Sequence, residues 1–295
     1  MLSVSSLTTS VVEDILSKAD EFASNAGASF TSICRDKIVG MMFLEPSTRT
    51  HKSFECAAYK LGAKVMHYDH ASSSSVKGES FQDTVTTMSQ YVDALVIRQP
   101  VCGGLGKLHC DVPIVNAGDG NGEHPTQALL DLYTIRKYFP AKKGLLHIAF
   151  VGDLKNGRTI HSTLQLLDAL YEGVFFHFIC EGGLELDEVY TRGLRNHYYY
   201  EHRLSDVIEL MDVVYMTRIQ KERFARDDDG MNASCDHVLT PELVRRAKKS
   251  MIILHPLPRN SELPPELDSS PHCKFVEQMK NGVYVRMALL EWVLL

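Results

Sequence analysis

The feature that most constrains the fold is a regular alternation of short, continuously apolar runs with segments of helical periodicity. Helical spacing is clear between the runs, for example at Phe54, Ala57, Ala58 and Leu61. Apolar strands that alternate with amphipathic helices are typical of a parallel sheet that is covered on both faces. The predicted strands are Ile38 to Leu44, Val65 to Tyr68, Ala94 to Ile97, Ile114 to Ala117, His147 to Val151, Val174 to Cys180, Val213 to Met216 and Met251 to Leu254.

The predicted strands form two groups of four, separated by a helix from about Thr126 to Tyr138. At 295 residues the chain is long enough for two domains of ordinary size. We therefore predict an α/β protein with two doubly wound parallel-sheet domains joined by this helix. The hinge is expected where Phe139 and Pro140 end the helix and residues 142–144 lead into the next strand.

Both ends of the chain are predicted to be helical. Near the start, Ser10 and Glu13 match a capping-box pattern that is followed by apolar residues at helical spacing. At the other end, an apolar helix is predicted from Gly282 to Leu295.

Composition and charge argue against several classes of protein. The net charge of -6 disfavours nucleic acid as a partner, because phosphate backbones require a basic face. No apolar run approaches the roughly 18 residues that a membrane-spanning helix needs. Met1 to Lys18 lacks the pattern of a signal peptide, so a cytoplasmic protein is expected. The seven cysteines include no Cys-x-x-Cys pair, so neither a zinc site nor a disulfide framework is predicted.

The segment after the first predicted strand has the pattern of an anion site. It reads Glu45-Pro46-Ser47-Thr48-Arg49-Thr50 and opens a helix. Hydroxyls and backbone amides at a helix N-terminus bind anions, and Arg49 adds a planar guanidinium that can contact two oxygens. The alternative is ordinary capping by Ser47 or Thr48, which requires no ligand. Arg49 in the same turn favours the anion site.

Polar and cationic residues also follow the other strands of the first half. Ser72 to Ser75 and Lys77 form a polar loop, which on its own is more often a solvated linker. Arg98 ends the third strand, where a single arginine is usually a surface charge. After the fourth strand, the glycine-rich segment Asn116 to Gln127 would let the backbone approach a ligand closely. His124 within it can donate a hydrogen bond, although a single histidine there is more often structural.

The second half repeats this arrangement. Gly152 to Thr159 lies between a strand and a helix, but it lacks the three glycines of a dinucleotide-binding turn, so NAD binding is rejected. Thr217 to Arg223 places a cationic cluster after a later strand. His255 to Arg259 ends the last strand in a proline-rich turn, where a cis bond before Pro256 or Pro258 is a hypothesis.

These strand ends define the predicted chemistry, because ligands of open α/β sheets bind beyond the carboxyl ends of the strands. The cations of the first half suit a phosphate dianion, and those of the second half suit carboxylates. The sequence has no metal-ligand spacing and no evident covalent nucleophile, so neither a metal nor another cofactor is predicted. The pattern favours group transfer between two bound anions by positioning and electrostatics.

Taken in order, motifs spread over nearly the whole chain resemble the catalytic chain of the aspartate carbamoyltransferase family. They are Ser47-Thr48-Arg49-Thr50, Lys77-Gly78-Glu79, Asn116 to Gln127, Gly152-Asp153-Leu154-Lys155 with Gly157-Arg158-Thr159, Thr217 to Arg223 and His255 to Arg259.

The resemblance implies a transferase that converts carbamoyl phosphate and L-aspartate into N-carbamoyl-L-aspartate and phosphate, the committed step of de novo pyrimidine biosynthesis. It implies a carbamoyl phosphate-binding domain of residues 1–128 plus 276–295, whose last helix returns to it, and an aspartate-binding domain of residues 129–275. It also implies a homotrimer with active sites shared between subunits. Further regulatory or pathway-enzyme partners are left open by the sequence.

The resemblance also assigns roles to individual residues. Catalytic roles fall to Arg49, Thr50, Lys77, Arg98 and His124. Carbamoyl phosphate contacts fall to Ser47, Thr48, Arg49, Thr50, Arg98, His124, Gln127, Pro256 and Leu257, with Ser73 and Lys77 from the neighbouring subunit. Aspartate contacts fall to Lys77, Arg158, Arg218, Gln220 and Leu257. Glu45 with Arg158 and Arg223 resembles an interdomain bridge that favours closure.

Two alternatives stay open at this point. Ornithine carbamoyltransferases share the phosphate-binding half, but that family carries a Cys-Leu-Pro turn where this chain has Pro256-Leu257-Pro258, and it lacks the pair formed by Arg218 and Gln220. A non-catalytic homologue of the same fold is the other alternative. The acidic segment Asp227 to Gly230 departs from the family pattern, which leaves closure and regulation open.

Overall fold

The chain folds into two compact units, each with its own parallel sheet. A computed structural model describes residues 1–140, 144–220 and 237–295. Unit 1 contains Met1–Tyr133 and Met279–Leu295, and unit 2 contains Thr134–Gln278. The predicted fold class is confirmed by these two α/β units. The expected hinge falls largely on residues 141–143, which lie outside the described residues.

Unit 1 is built on a four-stranded parallel sheet. Its strands are β1 (Ile38–Phe43), β2 (Lys64–Tyr68), β3 (Ala94–Gln99) and β4 (Ile114–Asp119), in the spatial order β2-β1-β3-β4. The central strands β1 and β3 are largely buried, which explains why both are continuous apolar runs in the sequence.

The helices of unit 1 bury the apolar faces that the sequence predicts. They are α1 (Thr9–Ser24), α2 (Thr48–Leu61), α3 (Phe81–Ser89) and the first part of α4 (Pro125–Tyr138). Helix α2 packs on β1 and β2 and buries Phe54, Ala57, Ala58 and Leu61. It ends at Gly62, whose φ of 82° is a left-handed conformation that glycine adopts without a steric penalty.

Unit 2 is built on a five-stranded parallel sheet. Its strands are β5 (Leu146–Val151), β6 (Val174–Ile179), β7 (His197–Tyr200), β8 (Val213–Met216) and β9 (Ile252–Leu254), in the spatial order β7-β6-β5-β8-β9. The described helices that follow α4 are α5 (Arg158–Leu170), α6 (Glu188–Thr191), α7 (Leu204–Val207), α8 (Pro241–Arg246) and α9 (Phe275–Leu294).

The end of α9 packs within unit 1, as the resemblance predicts for the last helix. The guanidinium of Arg286 lies 5.0 Å from the ring centroid of Phe54. Glu291 forms an ion pair of 3.2 Å with Lys18 of α1. The boundaries between the two units lie inside α4 and α9, so no loop marks them.

Two predictions about elements are wrong, and one strand was missed. Strand β7 was not predicted, because all four of its residues are exposed and it contains no buried apolar run. Helix α1 is capped by Thr8, whose hydroxyl accepts from the amide of Val11, and not by Ser10. Helix α9 begins at Phe275, not at the predicted Gly282, and runs through that glycine. Glycine is accommodated inside the helix there because Arg286 and Leu130 occupy the space where a side chain would lie.

Candidate active site

The strand order places the candidate residues of each unit at a topological switch point. In unit 1 the order reverses between β1 and β3, and in unit 2 it reverses between β5 and β8. Ligands of doubly wound sheets bind beyond the carboxyl ends of the strands at this position. In unit 1, Arg49 lies beyond β1 and Arg98 near the end of β3, while His124 follows β4. In unit 2, Arg158 follows β5 and Arg218 follows β8, while Leu257 follows β9. The candidate residues of each unit therefore lie near the carboxyl ends of its strands and define one candidate half-site.

The first turn of α2 offers donor groups to an anion. Ser47 precedes the helix with extended backbone, and its side chain makes no capping hydrogen bond. The capping alternative for Ser47 is therefore not supported. Thr48 and Arg49 are exposed in the first turn, where backbone N–H groups point out of the helix end and the helix dipole favours a negative charge.

Thr50 and His124 lie next to each other in unit 1. Oγ1 of Thr50 is 3.3 Å from Nε2 of His124, and Nδ1 of His124 is 3.4 Å from Oγ1 of Thr126. Thr50 and His124 are both buried. Because both ring nitrogens have a hydroxyl neighbour, the imidazole is held in one orientation at the start of α4.

Arg98 contacts the acidic residue that precedes α2. It is the penultimate residue of β3 and pairs with Phe43 of β1, and its backbone oxygen accepts from the amide of Leu44. Nε of Arg98 forms an ion pair of 3.3 Å with Glu45. The arginine is half-buried near the carboxyl end of an inner strand.

Gln127 is fixed by a carboxylate that the sequence analysis did not single out. Its Nε2 donates to Oδ1 of Asp131 at 2.8 Å, and both residues are buried. Burial lowers the pKa of Arg286 to about 10, and the negative charge of Asp131 partly offsets this effect. The orientation of Gln127 therefore depends on a buried acid that interacts electrostatically with α9.

Ser73 and Lys77 lie in the loop after the edge strand β2. Oγ of Ser73 is 2.8 Å from the hydroxyl of Tyr68, and it lies at the start of a single-turn helix, Ser74–Lys77. Lys77 is exposed. This loop follows β2, the edge strand beside β1, and Ser73 makes its hydrogen bonds to Tyr68 and within the loop.

In unit 2, Arg158 begins α5 directly after the turn that follows β5. Gly157 precedes the helix, and a side chain at that position would lie 2.6 Å from the backbone oxygen of Asp153. Only glycine fits this turn. Arg158 is buried at the start of this helix.

Arg218 and Gln220 follow β8, and a buried carboxylate joins their loop to the turn after β5. Oδ2 of Asp153 accepts from the amide of Gln220 at 3.0 Å, and Oδ1 accepts from the amide of Asn156 at 3.0 Å. Nε2 of Gln220 donates to the backbone oxygen of Asn156 at 2.8 Å. Nη1 of Arg218 donates to the backbone oxygen of Ile219 at 3.3 Å. The sequence analysis placed Asp153 in a motif but gave it no role.

The turn that follows β9 holds Leu257 in an unusual conformation. Its φ is 58°, in the left-handed region where leucine is an outlier. The amide of Leu257 donates to Nδ1 of His255 at 2.8 Å. Nε2 of His255 lies 2.9 Å from Glu262, and both side chains are buried. The bond before Pro258 is cis, and the bond before Pro256 is not.

The hydrogen bonds fix the protonation of this pair. Because Nδ1 of His255 accepts from an amide, the proton of the neutral ring lies on Nε2 and is donated to Glu262. Burial alone would raise the pKa of Glu262, but the hydrogen bonds from His255 and from the amide of Asn260 bring it below its ordinary value. The ionised carboxylate therefore holds the ring that supports Leu257. No sequence pattern had pointed to Glu262.

Glu45 pairs with Arg98 inside unit 1, and its predicted bridge to Arg158 and Arg223 stays a prediction. Arg223 and the acidic segment Asp227 to Gly230 lie outside the described residues.

The described residues offer little for covalent or metal chemistry. Burial, followed by the negative charges of nearby acidic residues, raises the pKa of Cys180 to about 12, so its thiol is protonated at neutral pH. Across residues 1–140, 144–220 and 237–295, no three His, Cys, Asp or Glu side chains are grouped to hold a metal ion. In the same ranges, no helix combines the length and apolar character needed to cross a membrane.

Comparisons with known proteins agree with the division into two units. The carbamoyl-P binding domain of the aspartate/ornithine carbamoyltransferase family matches residues 1–137, and the Asp/Orn binding domain of that family matches residues 145–293. The chain is 42% identical over 299 residues to the aspartate carbamoyltransferase catalytic subunit of Archaeoglobus fulgidus, covering 100% of this chain and 99% of that protein.

A second relative is much longer than this chain. The chain is 45% identical over 267 residues to the multifunctional protein CAD of Squalus acanthias, a match that covers 89% of this chain but only 12% of that protein. Among solved structures, the aspartate transcarbamoylase of Trypanosoma cruzi in complex with carbamoyl phosphate and aspartate matches with a TM-score of 0.94 and 34% identity, covering 100% of this chain and 96% of that chain. The chain therefore belongs to the aspartate/ornithine carbamoyltransferase family, as one of its aspartate carbamoyltransferase catalytic chains.

Proposed function

We propose that this carbamoyltransferase moves the carbamoyl group of carbamoyl phosphate to the α-amine of L-aspartate, through the residues at its two switch points. The products are N-carbamoyl-L-aspartate and phosphate, which makes the reaction the committed step of de novo pyrimidine biosynthesis. The observation that carries the assignment of residues is the contact of 3.3 Å between Thr50 and His124 beside the donor-rich start of α2.

Unit 1 supplies the site for the phosphate. Ser47, Thr48 and Arg49 surround the N-terminus of α2, where hydroxyls, backbone amides and a guanidinium all donate. Arg98 adds a second guanidinium from the end of β3. A dianion at this position receives charge-assisted hydrogen bonds in the ground state, and the same bonds stabilise the phosphate as it leaves.

Thr50, Arg98 and His124 stabilise the charge that develops during transfer. The uncharged amine of aspartate attacks the carbonyl carbon, a C–N bond forms, and the negative charge moves to the carbonyl oxygen. The bond to the phosphate oxygen then breaks, and the departing phosphate takes the amine proton. Preorganised donors of this kind are each worth about 3 kcal/mol of transition-state stabilisation.

Unit 2 supplies the site for the second substrate. Arg158, Arg218 and Gln220 offer donors that suit the two carboxylates of aspartate, together with Lys77 from a neighbouring subunit. The backbone oxygens of Pro256 and Leu257 orient the reacting amines, because the left-handed conformation of Leu257 sets the direction of the adjoining peptide groups. Gln127, held by Asp131, completes the contacts with carbamoyl phosphate.

The remaining proposals concern organisation. Unit 1 is the carbamoyl phosphate-binding domain and unit 2 the aspartate-binding domain, and the bridge of Glu45 with Arg158 and Arg223 favours closure. The active subunit is part of a homotrimer in which Ser73 and Lys77 enter the neighbouring site. The enzyme works in the cytoplasm, where the thiols of its six described cysteines suit a reducing compartment.

An assay with two second substrates tests the proposed reaction. Purified protein is mixed with carbamoyl phosphate and either L-aspartate or L-ornithine, and both phosphate release and the ureido product are measured. We expect turnover with aspartate alone. Turnover with ornithine alone would overturn the proposal in favour of the ornithine enzyme, and turnover with neither would favour a non-catalytic homologue.

Mixing two inactive variants tests the shared site. Lys77→Ala and Arg49→Ala are each expected to be inactive, because every site of either homotrimer lacks one required cation. Lys77 is supplied by the neighbouring subunit and Arg49 by the subunit that holds the site. After the subunits exchange, some hybrid trimers contain a site with both residues intact, so part of the activity returns. Exchange that is verified by mass spectrometry but restores no activity would contradict sharing.

A further inference from the structure

The first residues of the chain lie against the glycine-rich loop that ends at His124. We infer that Met1–Val4, here called the N-terminal strap, positions His124 for carbamoyl transfer, with Glu123 as the positioning residue that joins the strap to the loop. This inference rests on the role of His124 in the proposed function, and it assigns a task to residues to which the sequence analysis gave no role.

The strap first extends the edge of the sheet in unit 1. The backbone oxygen of Met1 accepts from the amide of Asn116 within β4 at 2.9 Å. Nδ2 of Asn116 donates to the backbone oxygen of Leu2 at 2.8 Å. Oδ1 of the same side chain accepts from the amide of Gly118 at 2.8 Å. Asn116 is buried, so one side chain joins the strap to the strand that leads into the loop.

Glu123 joins the strap to the other end of the loop. Oε1 of Glu123 accepts from the hydroxyl of Ser3 at 2.6 Å, and Oε2 accepts from the amide of Val4 at 2.7 Å. Both carboxylate oxygens are therefore bound by the strap. Val4 is buried, which holds the donor amide in place. Charge-assisted bonds of this length are stronger than those between neutral groups.

The loop itself is closed by Asp119. Its Oδ1 accepts from the amide of Glu123 at 2.7 Å, and its Oδ2 accepts from the amide of Gly103 at 2.9 Å. The amide of Asp119 in turn donates to the backbone oxygen of Glu123 at 3.2 Å. Asp119 therefore fixes the backbone of Glu123, and the strap fixes its side chain. His124 is the next residue along the chain.

The strap and loop affect catalysis because His124, the residue after Glu123, must be held in place within a small tolerance. His124 has Thr50 and Thr126 as neighbours at 3.3 and 3.4 Å, close to the limit of a hydrogen bond. A small shift of the loop would remove these contacts. Misplacement of a catalytic group by about 1 Å can cost on the order of a hundredfold in rate. Hydrogen bonds join the strap to Asn116 and Glu123, and neither residue belongs to the start of α2 that is proposed to receive the phosphate.

The test compares Glu123→Ala and Ser3→Ala with Ser6→Ala. Ser6 belongs to the same short helical turn, but its hydroxyl donates only to the backbone of Ser3 and does not touch the loop. We expect Glu123→Ala to lower kcat about 10- to 100-fold and Ser3→Ala to lower it less. Ser6→Ala keeps the wild-type kcat. The double variant of Ser3 and Glu123 should equal Glu123→Ala alone, because both remove the same connection.

Two further measurements and one conservative variant separate a positioning role from a loss of folded protein. Calorimetric titration with inorganic phosphate should give the wild-type Kd and stoichiometry for every variant, and the KM for L-aspartate should not change. Glu123→Gln should recover most of the activity, because the amide oxygen still accepts from the Val4 amide and the Ser3 hydroxyl can accept from the amide nitrogen.

Several results would overturn the inference. An unchanged kcat in Glu123→Ala would do so, as would a loss of kcat that is matched by a loss of phosphate-binding stoichiometry. A Glu123→Gln variant as impaired as Glu123→Ala would show that the charge, and not the connection, is required. If the wild-type protein itself gave no turnover with aspartate, the proposed function would fail before any variant was compared.

Discussion

The two units place their candidate residues by different physical means. In unit 1, the candidates follow directly from strands and helix ends: the first turn of α2, the end of β3 and the residue before α4. In unit 2, they depend on buried carboxylates, Asp153 behind Gln220 and Glu262 behind Leu257. Two candidates depart from this division, since Gln127 of unit 1 is held by the buried Asp131 and Arg158 of unit 2 begins α5. For the other candidates, regular secondary structure dominates in unit 1 and polar contacts inside loops dominate in unit 2.

This difference has consequences for how each half-site fails. A residue at a helix N-terminus can be removed without moving its neighbours, because the helix keeps its own hydrogen bonds. Removal of a buried carboxylate leaves amides without acceptors, and the loop they belong to must move. We therefore expect substitutions in unit 1 to remove chemistry locally and substitutions in unit 2 to change the shape of the site.

The largest expected effect tests the local character of unit 1. Arg49→Ala should lower kcat/KM for carbamoyl phosphate about a thousandfold, because a bidentate cation at the helix end is lost. The thermal unfolding midpoint should stay the same, since Arg49 is exposed. Arg35→Ala removes another exposed arginine of unit 1 and serves as the control. A fall in the unfolding midpoint comparable to that of a core variant would remove the contrast between the units.

The second prediction tests the network of unit 2. Asp153→Ala should raise the KM for L-aspartate about 10- to 100-fold, because the loop that holds Gln220 loses its attachment. The KM for carbamoyl phosphate should not change, and the protein should be less stable because buried amides lose their acceptor. Asp187→Ala, which removes an exposed capping carboxylate from the same unit, is the matched control. Equal effects on both KM values would contradict the assignment of Asp153 to the second half-site.

The same contrast explains what the sequence could predict about the site. Polar segments adjacent to apolar strands were indicated by periodicity in both units, and the family resemblance gave the individual candidate residues within them. The connection from Gln220 to Asp153 spans 67 positions, and that from Ser3 to Glu123 spans 120 positions. Hydrogen bonds between such distant positions depend on packing and register, which no local pattern records.

The fold shows the same division between local and non-local information. Seven of the eight predicted strands are mostly buried, and burial on both faces requires the continuous apolar run by which they were predicted. Strand β7 was missed because it is an edge strand with all four residues exposed, and the rings of Tyr198 and Tyr199 lie near phenylalanine rings of β6. The left-handed backbone of Leu257 was equally hidden, since leucine is not a residue type that indicates positive φ.

A smaller effect sharpens the comparison within unit 1. Thr50→Val keeps the shape of the side chain and removes only the hydroxyl that lies beside His124. We expect kcat to fall about tenfold, with the KM for L-aspartate unchanged, because a single donor is lost. Thr86→Val changes an exposed helical threonine of the same unit and should have no effect on kcat. If the KM for aspartate rose instead, the hydroxyl would belong with the second half-site.

The smallest effect concerns acid stability and tests whether Glu262 is held as an anion. Because its folded pKa is lowered, the carboxylate contributes stability that is present above its ordinary pKa of 4.5 and is lost as the pH falls through the lower folded value. Glu262→Gln cannot titrate, so its unfolding free energy should depend less on pH below 4.5 than that of the wild type. The difference should be on the order of 1 kcal/mol, the size of a hydrogen bond to a charged group. Urea titrations at neutral and acidic pH measure this difference. If the unfolding free energy of the two proteins changed equally with pH, Glu262 would not be an anion beneath Leu257.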